Sequence, residues 1–368
     1  MPENKVYTAI GMMSGTSLDA VDVALVETDG KEFIELKGFT SFDYTDEERN
    51  TIKQAFGQRT GADIDQATNL VTDAHIRAIF STLEKFPEFK ADVIGFHGQT
   101  TFHDPDNAVT VQVGDAQKLA INTGIDVVAD MRQADLKNGG QGAPLLPLCH
   151  RALSKDIEKP TAILNLGGVG NITWLGHGEE DILAFDTGPA NALMNDLMMK
   201  NTGKPFDHEG EIAASGTPNY NILNQWMDLP FFQKTPPKSL DRDAWNVKDL
   251  DSLNFEDAMA TLAEFTVLSV VRAYNELPEA PKSLYVAGGG RHNKLLMIKL
   301  SDMLLSSVHK VDELKWNGDA LEAQGFAYLA VRSLLGLPLS LPGTTGVKEP
   351  TTGGILYSCN QNAQTAEL

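Results

Sequence analysis

The stretch Gly11-Met-Met-Ser-Gly-Thr-Ser-Leu-Asp-Ala-Val-Asp22 lies between two apolar runs, Tyr7–Ile10 and Val21–Val26. It holds two glycines, the hydroxyls of Ser14, Thr16 and Ser17, and the carboxylates of Asp19 and Asp22. A hairpin that only reversed the chain would not need so much hydrogen-bonding capacity. Glycine lets a backbone approach an anion closely, and successive N–H groups beside hydroxyls can surround phosphate oxygens. Asp19 and Asp22 are suited to hold Mg2+, directly or through water. The plain alternative is a glycine-containing β-turn with two solvated acids. Related stretches downstream tilt the reading toward a ligand.

Outward from this stretch, the first 45 residues read as three strands, Tyr7–Met13, Val21–Thr28 and Phe33–Tyr44. Short glycine-bearing turns join them and favour antiparallel pairing. Helical periodicity follows over Asp46–Phe56 and Asp63–Lys85. A strand Ala91–Phe96 ends in His97-Gly-Gln-Thr100, and strands Ala108–Val113 and Val127–Ala129 flank a helical Asp115–Thr123. The pattern then restarts. Thr161–Leu166 is apolar, Gly167-Gly-Val-Gly-Asn171 is a glycine-rich turn, and strands follow at Ile172–Leu175 and Ile182–Phe185. The last of these ends in Asp186-Thr-Gly-Pro189. Helices are predicted at Asn191–Lys200 and Phe255–Leu277, and the strand Ser283–Ala287 ends in Gly288-Gly-Gly290. Two halves that open alike predict a structural duplication with its boundary near 125–145. Pro230–Lys248 reads as a surface excursion and Asn360–Leu368 as a frayed end.

A chain of 368 residues suggests two domains and can bury a large core without disulfides or metals. Its 42% hydrophobic and 22% charged content fit an ordinary globular protein. A net charge of −20 argues against nucleic acid or an anionic membrane as partner. There is no apolar run of about 18 residues, so no membrane span is expected, and the N-terminus has no apolar signal core. Cys149 and Cys359 form neither a CxxC pair nor a zinc pattern. A reduced, cytoplasmic protein is the expectation.

Four glycine-bearing turns follow strands, at residues 11–17, 167–171, 186–190 and 288–290. Ligands in open α/β folds gather at strand carboxyl ends, so together these turns point to a nucleotide. No GxxxxGK[ST] loop and no GxGxxG with a distal acid is present, which excludes a P-loop and leaves dinucleotide binding unsupported. There is no GxSxG elbow for a serine hydrolase, and the eight histidines form no HExxH or other ligand spacing. Asp186 ends an apolar strand. Partial desolvation there raises an acid's pKa and suits a general base; the alternative, an N-cap for the helix near Asn191, places it slightly too far upstream. Arg132 lies in a glycine-rich polar loop, Asp130–Pro144, and could clamp a carboxylate or stand solvated. Glu322, in an otherwise apolar helix beside Ala323 and Phe326, needs a partner or ligand, unless it sits on a solvated face. His97 either lines the site or bonds backbone, and is not read as catalytic.

Gly11–Asp22, Phe96-His-Gly-Gln-Thr100, the Asp130–Pro144 loop, Leu164-Asn-Leu-Gly-Gly-Val-Gly-Asn171, Phe185-Asp-Thr-Gly-Pro189, Gly288-Gly-Gly-Arg-His-Asn293 and Leu321-Glu-Ala appear in this order. Together they resemble the anhydro-N-acetylmuramic acid kinases, of the sugar kinase, actin and heat-shock ATPase superfamily, over nearly the whole chain. The resemblance implies an α/β, two-domain ribonuclease H-like (actin-like ATPase) fold. Its duplicated mixed sheets would be flanked by helices, with ATP and Mg2+ in an interdomain cleft. The domains are expected to be 1–130 plus 341–368, and 131–340. The first phosphate loop would comprise Gly15, Thr16, Ser17, Leu18, Asp19, Ala20, Val21 and Asp22, with Asp19 and Asp22 toward the metal. Gly167, Gly168, Gly170 and Asn171 would form the second phosphate loop. Gly288, Gly289, Gly290 and Asn293 would form the adenosine motif. Asp186 matches the family's catalytic aspartate, Arg132 and Glu322 match substrate positions, and His97, Gln99 and Thr100 are placed on the sugar side. A small-molecule sugar substrate and a homodimer are further implications. Two positions depart from the family. Ala20 and Ala190 replace usual glycines, at a cost of about 1 kcal/mol each if positive φ is needed.

The family's reaction couples opening of a 1,6-anhydro ring to phosphorylation at O6, in cell-wall recycling. Two other readings stay open on sequence: a kinase of another anhydrosugar such as levoglucosan, and a non-catalytic, actin-like ATP-binding protein.

Overall fold

In the computed structural model the described residues are 5–15, 17–240, 245, 248–360 and 366–367. They fall into two compact units, residues 1–156 with 320–368 and residues 157–319. In chain order, unit 1 begins with strands β1 (Tyr7–Ser14), β2 (Ala20–Thr28) and β3 (Ile34–Asp43), then helices α1 (Asp46–Gln54) and α2 (Ala62–Lys85). It continues with β4 (Val93–Asp104), β5 (Val109–Val113), α3 (Ala116–Thr123), β6 (Val127–Ala129), α4 (Gln133–Lys137) and α5 (Pro147–Leu153). Unit 2 holds β7 (Thr161–Leu166), β8 (Val169–Leu175), β9 (Ile182–Pro189), α6 (Asn191–Thr202), α7 (Glu211–Ser215) and α8 (Tyr220–Met227). It closes with α9 (Phe255–Tyr274), β10 (Ser283–Ala287), α10 (Lys294–Met303) and β11 (Ser307–Lys310). The chain then returns to unit 1 with α11 (Leu321–Leu334), α12 (Pro342–Thr345), β12 (Ile355–Tyr357) and β13 (Ala366–Glu367).

The two sheets repeat one topology. In unit 1 the core order is β3-β2-β1-β4-β6, with β12 and β13 continuing beyond β6 and β5 pairing β4. In unit 2 the order is β9-β8-β7-β10-β11. Each sheet is an antiparallel meander of three strands, extended beyond its first member by two successive parallel strands. The repeat bears out the duplication expected from two glycine-bearing hairpins. Most elements lie where periodicity placed them. α1 starts at a capping box, in which Thr45 Oγ1 accepts from Glu48 N and Glu48 accepts from Thr45 N.

The sheet of unit 1 is covered on both faces. Ile10 and Met12 of β1 pack with Val71, Ala78 and Ile79 of α2. The alternate residues Ala9 and Met13 pack with Ala323, Phe326 and Ala327 of α11. Alternation of side chains along a strand produces this division. On the α11 face, Gly11 of β1 stands opposite Gly95 of β4. A Cβ at Gly11 would lie 1.8 Å from the Ala323 carbonyl oxygen, and one at Gly95 would lie 2.1 Å from that of Phe326. The pair of glycines lets the helix backbone lie directly on the sheet. Gly11 is therefore a packing residue, not part of an anion site.

Several expectations need correction. Residues 131–156 and 320–340 belong with unit 1, because α11 packs on β1 and β4 and α5 packs against α11. An almost wholly apolar helix is compatible with any core, so its sequence does not say which one it enters. β4 runs through His97–Thr100 to Asp104 and pairs β5 from Gln99 onward, so these residues are strand, not a loop after one. β9 likewise continues to Pro189, leaving only Gly167 and Gly168 as a true turn between β7 and β8. Pro230–Lys248 is not all surface: Phe231 and Phe232 are buried, and Trp245 packs edge-on against Phe265 at 5.2 Å. The rest of that segment, 241–244 and 246–247, lies outside the described residues, as do 361–365 and 368 of the expected frayed end. Ala366 and Glu367 pair with β12.

Unit 1 also buries three histidines, His75, His97 and His150. Burial pulls the pKa of His75 down to about 4, although its Nδ1 bonds the Val71 carbonyl at 2.7 Å. His150 is likewise lowered to about 4 by burial. His97 lies well below the ordinary histidine value, through burial first and Arg132 second. The unfolded chain therefore binds these protons first as pH falls through 6.5, and the folded protein takes up those of His75 and His150 only near 4. Stability is full above pH 6.5 and is lost as pH drops toward 4, by up to about 3 kcal/mol for each histidine lowered to about 4. Urea midpoints should fall between pH 7 and pH 5, and His75→Leu should flatten that fall. Because the variant differs by one group, the comparison cancels changes in net charge. An equally steep profile in the variant would contradict this account.

Candidate active site

The first loop begins where β1 ends. Leu18 N donates to the Gly15 carbonyl at 3.0 Å, closing a turn. Leu18 takes a left-handed φ of 57° with its side chain fully buried, a conformation that costs of order 1 kcal/mol and needs support. Tyr44 supplies it. Its N–H donates to the Asp19 carbonyl at 3.0 Å, and its hydroxyl bonds Ser14 Oγ at 3.1 Å. Burial raises the phenol to about 12, so it stays protonated. Ser14 Oγ also donates to Gln99 Oε1 at 2.6 Å. A Cβ at Gly15 would meet nothing nearer than Ser17 Oγ at 3.6 Å, so the backbone there is open to an approaching group. Ser17 and Asp19 are exposed, while Leu18 and Val21 turn their side chains into the core. Asp22 accepts from the Ser41 hydroxyl at 2.6 Å. Thr16 lies outside the described residues. Neither Ala20 nor Ala190 has positive φ. Ala190 sits at −123°, so no left-handed backbone strains alanine at either departure.

A second cluster stands beside this loop. His97 Nε2 accepts from Arg132 Nε at 3.1 Å, and its Nδ1 donates to the Gly98 carbonyl at 2.8 Å. Because the ring stays neutral, it can accept from a cation. Arg132 Nη1 also donates to the Gly142 carbonyl at 2.6 Å. Gly142 is placed by Asp135, a buried carboxylate that accepts from Gly142 N at 2.6 Å and from Thr345 Oγ1 at 2.5 Å. The Asp130–Pro144 loop is thus built around a buried acid that holds Arg132 from below. Thr100 Oγ1, half-buried, accepts from Gln112 at 3.2 Å. Glu322 lies half-buried in the first turn of α11, next to the Ala323 carbonyl that covers Gly11.

Two residues expected on the sugar side are bonded within the protein and steady the groups beside them. Gln99 is fully buried, with its carbonyl taken by Ser14 and its amide donating to the Thr100 carbonyl at 3.0 Å. His97 is buried and serves Arg132. The strand reading that makes β4 continuous explains both, since alternate residues of a paired strand point inward. Sequence reasoning missed Tyr44 and Asp135; a lone tyrosine after a strand and an acid in a polar loop carry no signal until the chain closes on them.

In unit 2, Asp186 sits in β9 opposite Asn171 of β8 and is 7% exposed. Its Oδ2 accepts from Leu240 N at 2.7 Å, and its own N–H donates to the Lys238 carbonyl at 2.9 Å. It does not cap α6. The amides of residues 190, 191 and 192 donate to the carbonyls of Gly168, Gly167 and Gly168. Gly288 has φ 72°, and a Cβ there would press on Asn165 Oδ1 at 2.4 Å. Gly289 is open, with nothing nearer than Asn191 Nδ2 at 3.9 Å. Buried Arg291 holds this turn, donating to the Gly288 carbonyl and pairing with Asp312 and Asp319. Asn293 caps α10 through Oδ1, which accepts from Leu296 N at 3.1 Å. Among the described residues no helix is long and apolar enough to cross a membrane.

The family described as anhydro-N-acetylmuramic acid kinase matches residues 7–359. A protein of that name from Rhizorhabdus wittichii is 47% identical, covering 95% of this chain and 98% of its own. Those from Zymomonas mobilis and Rhodospirillum rubrum are each 44% identical, over 95% of this chain and 99% and 94% of theirs. At this identity, over almost the full length of both partners, the chain belongs to the anhydro-N-acetylmuramic acid kinase family.

Proposed function

We propose that this protein uses ATP to phosphorylate O6 of 1,6-anhydro-N-acetylmuramic acid while water opens the anhydro ring. The products are N-acetylmuramic acid 6-phosphate and ADP. The observation that carries the chemical assignment is Asp186, a buried carboxylate on a strand with one oxygen fixed by a backbone N–H. An acid so oriented suits proton abstraction. Water loses a proton to Asp186 and its oxygen bonds to C1 as the C1–O6 bond breaks. The electron pair left on O6 attacks the γ-phosphorus, and ADP departs with the pair of the broken phosphoanhydride bond. An inverting glycosidase needs a second acid to protonate its leaving oxygen. Here the phosphoryl group takes the place of that proton, so one carboxylate suffices.

The Gly15–Asp22 and Gly167–Asn171 loops are assigned to the phosphates, and Gly288–Gly290 to the adenosine. Room at Gly15 and Gly289 fits that assignment. Asp19, exposed beside the open Gly15 backbone, fits a Mg2+ bound directly or through water. Asp22 accepts from Ser41 with one oxygen and keeps lone pairs for the metal, directly or through water. Mg2+, when bound, supplies positive charge to the phosphates.

Arg132 is assigned to the sugar, held in place by His97 and Gly142. Arg132→Ala is expected to raise KM for the sugar roughly 10-fold or more, as loss of a charge-assisted contact does, and to leave KM for ATP unchanged. Steady-state kinetics with each substrate varied in turn checks this. The overall reading is tested by ADP release with and without the anhydrosugar, and by the mass of the sugar product. A gain of one phosphoryl group plus one water supports it. ADP release independent of the sugar would overturn it.

A further inference from the structure

Two groups that hold Asp186 lie in a segment that no site motif includes. Residues 234–240 run beside β9, the edge strand of its sheet. The Lys238 carbonyl accepts the Asp186 N–H, and Leu240 N donates to Asp186 Oδ2. The segment thus grips both the backbone and the carboxylate of one residue.

What anchors the segment is the Lys238 side chain. It is 3% exposed, and its ammonium pairs with Glu276 Oε2 at 2.9 Å and donates to the Lys234 carbonyl at 3.0 Å. It also lies over the rings of Phe231 and Phe185, 5.1 and 5.6 Å from their centroids. Glu276, just past the end of α9, binds Arg272 with its other oxygen at 3.4 Å, and Arg272 donates to the Phe232 carbonyl at 3.3 Å. A buried ammonium is costly unless paired, so this lysine is a weak choice for filling space. It suits a point where backbone position must be held closely.

We infer that Lys238, paired with Glu276, is a positioning residue for Asp186, acting through the backbone from Lys238 to Leu240. It does not touch the reacting atoms. Its ammonium lies against Phe185, the strand neighbour of Asp186, and its segment meets the carboxylate through Leu240 N. The inference rests on the reading of Asp186 as the base.

The test compares Asp186→Asn, Lys238→Met, Lys238→Arg and Glu276→Gln in full-length protein with ATP, Mg2+ and the anhydrosugar. It records kcat, both KM values, the pH–rate profile and Tm. Lys238→Met is expected to lower kcat about 10- to 100-fold, the effect of a small misplacement of a reacting group, with KM for ATP unchanged. A carboxylate that loses an N–H donor is less favoured in its charged form, so the acid limb of the profile should move to higher pH. Glu276→Gln should do the same more weakly, and Lys238→Arg should restore much of kcat. If Lys238→Met does not fold, Glu276→Gln carries the test. A merely structural role would lower Tm and leave the acid limb in place; that outcome, or unchanged kcat, overturns the inference. Near-normal turnover in Asp186→Asn would instead remove the base assignment, whatever Lys238 does.

Discussion

Asp186→Asn is expected to lower kcat by about 10²- to 10⁴-fold, the usual contribution of a positioned general base. ATP affinity and Tm should stay near those of the parent protein. Asparagine matches the shape of aspartate, and its carbonyl oxygen can still accept the Leu240 N–H that the carboxylate now holds. The backbone link from Asp186 N to the Lys238 carbonyl is untouched. The substitution removes the capacity to take a proton and keeps these two backbone links. Single-turnover kinetics separates the chemical step from binding, and calorimetric titration reports ATP affinity. Normal turnover would sink the assignment. Lost ATP binding would mean that Asp186 supports the nucleotide rather than the water.

Gly11→Ala is expected to be among the most destabilising single changes in the chain, and Gly15→Ala, four residues on, to leave stability nearly unchanged. At Gly11 the new methyl would sit 1.8 Å from the Ala323 carbonyl oxygen and 2.6 Å from Ala327 N. Both are backbone atoms of α11, so relief requires moving the helix off the sheet. Overpacking typically costs 1–3 kcal/mol where side chains can shift; here none can, so a loss above about 3 kcal/mol is expected. At Gly15 the methyl meets only Ser17 Oγ at 3.6 Å. Gly15→Ala should keep its denaturation midpoint and raise KM for ATP, because the methyl occupies the approach assigned to phosphate. Chemical denaturation of both variants decides the first point and ATP titration of Gly15→Ala the second. A stable Gly11→Ala would show that α11 does not rest on the sheet as described.

Much of this was legible in advance because it is local. Thr45 three residues before Glu48 announces the start of α1, and α2 and α9 follow from periodicity and length. The meanders follow from short glycine turns between apolar runs. The glycine stretches and Asp186 could be singled out as chemistry because such residues are poor choices for strands and hairpins that only pack. The same reasoning misread the strand that carries His97 and Gln99. It took a motif after an apolar run for a loop, whereas pairing with Thr110–Val113 extends β4 straight through it. It also took a segment rich in proline and aspartate for surface. Phe231, Phe232 and the buried Lys238 show that such composition can line a core when its polar groups find partners.

The sequence by itself determined the local elements, their doubling, and a set of residues specific enough to mark the family. Each of these depends on neighbours within a turn of helix or a hairpin. Only the tertiary structure decided which core receives α11, and that Gly11 and Gly95 exist to admit it. It alone decided that Tyr44 and Gln99 support the first loop, and that Leu240, 54 residues away in sequence, holds Asp186. The physical reason is common to all of these. A buried polar or close-packed atom takes its meaning from its partner, and partners distant along the chain are chosen by the closing of the fold rather than by any pattern within a window.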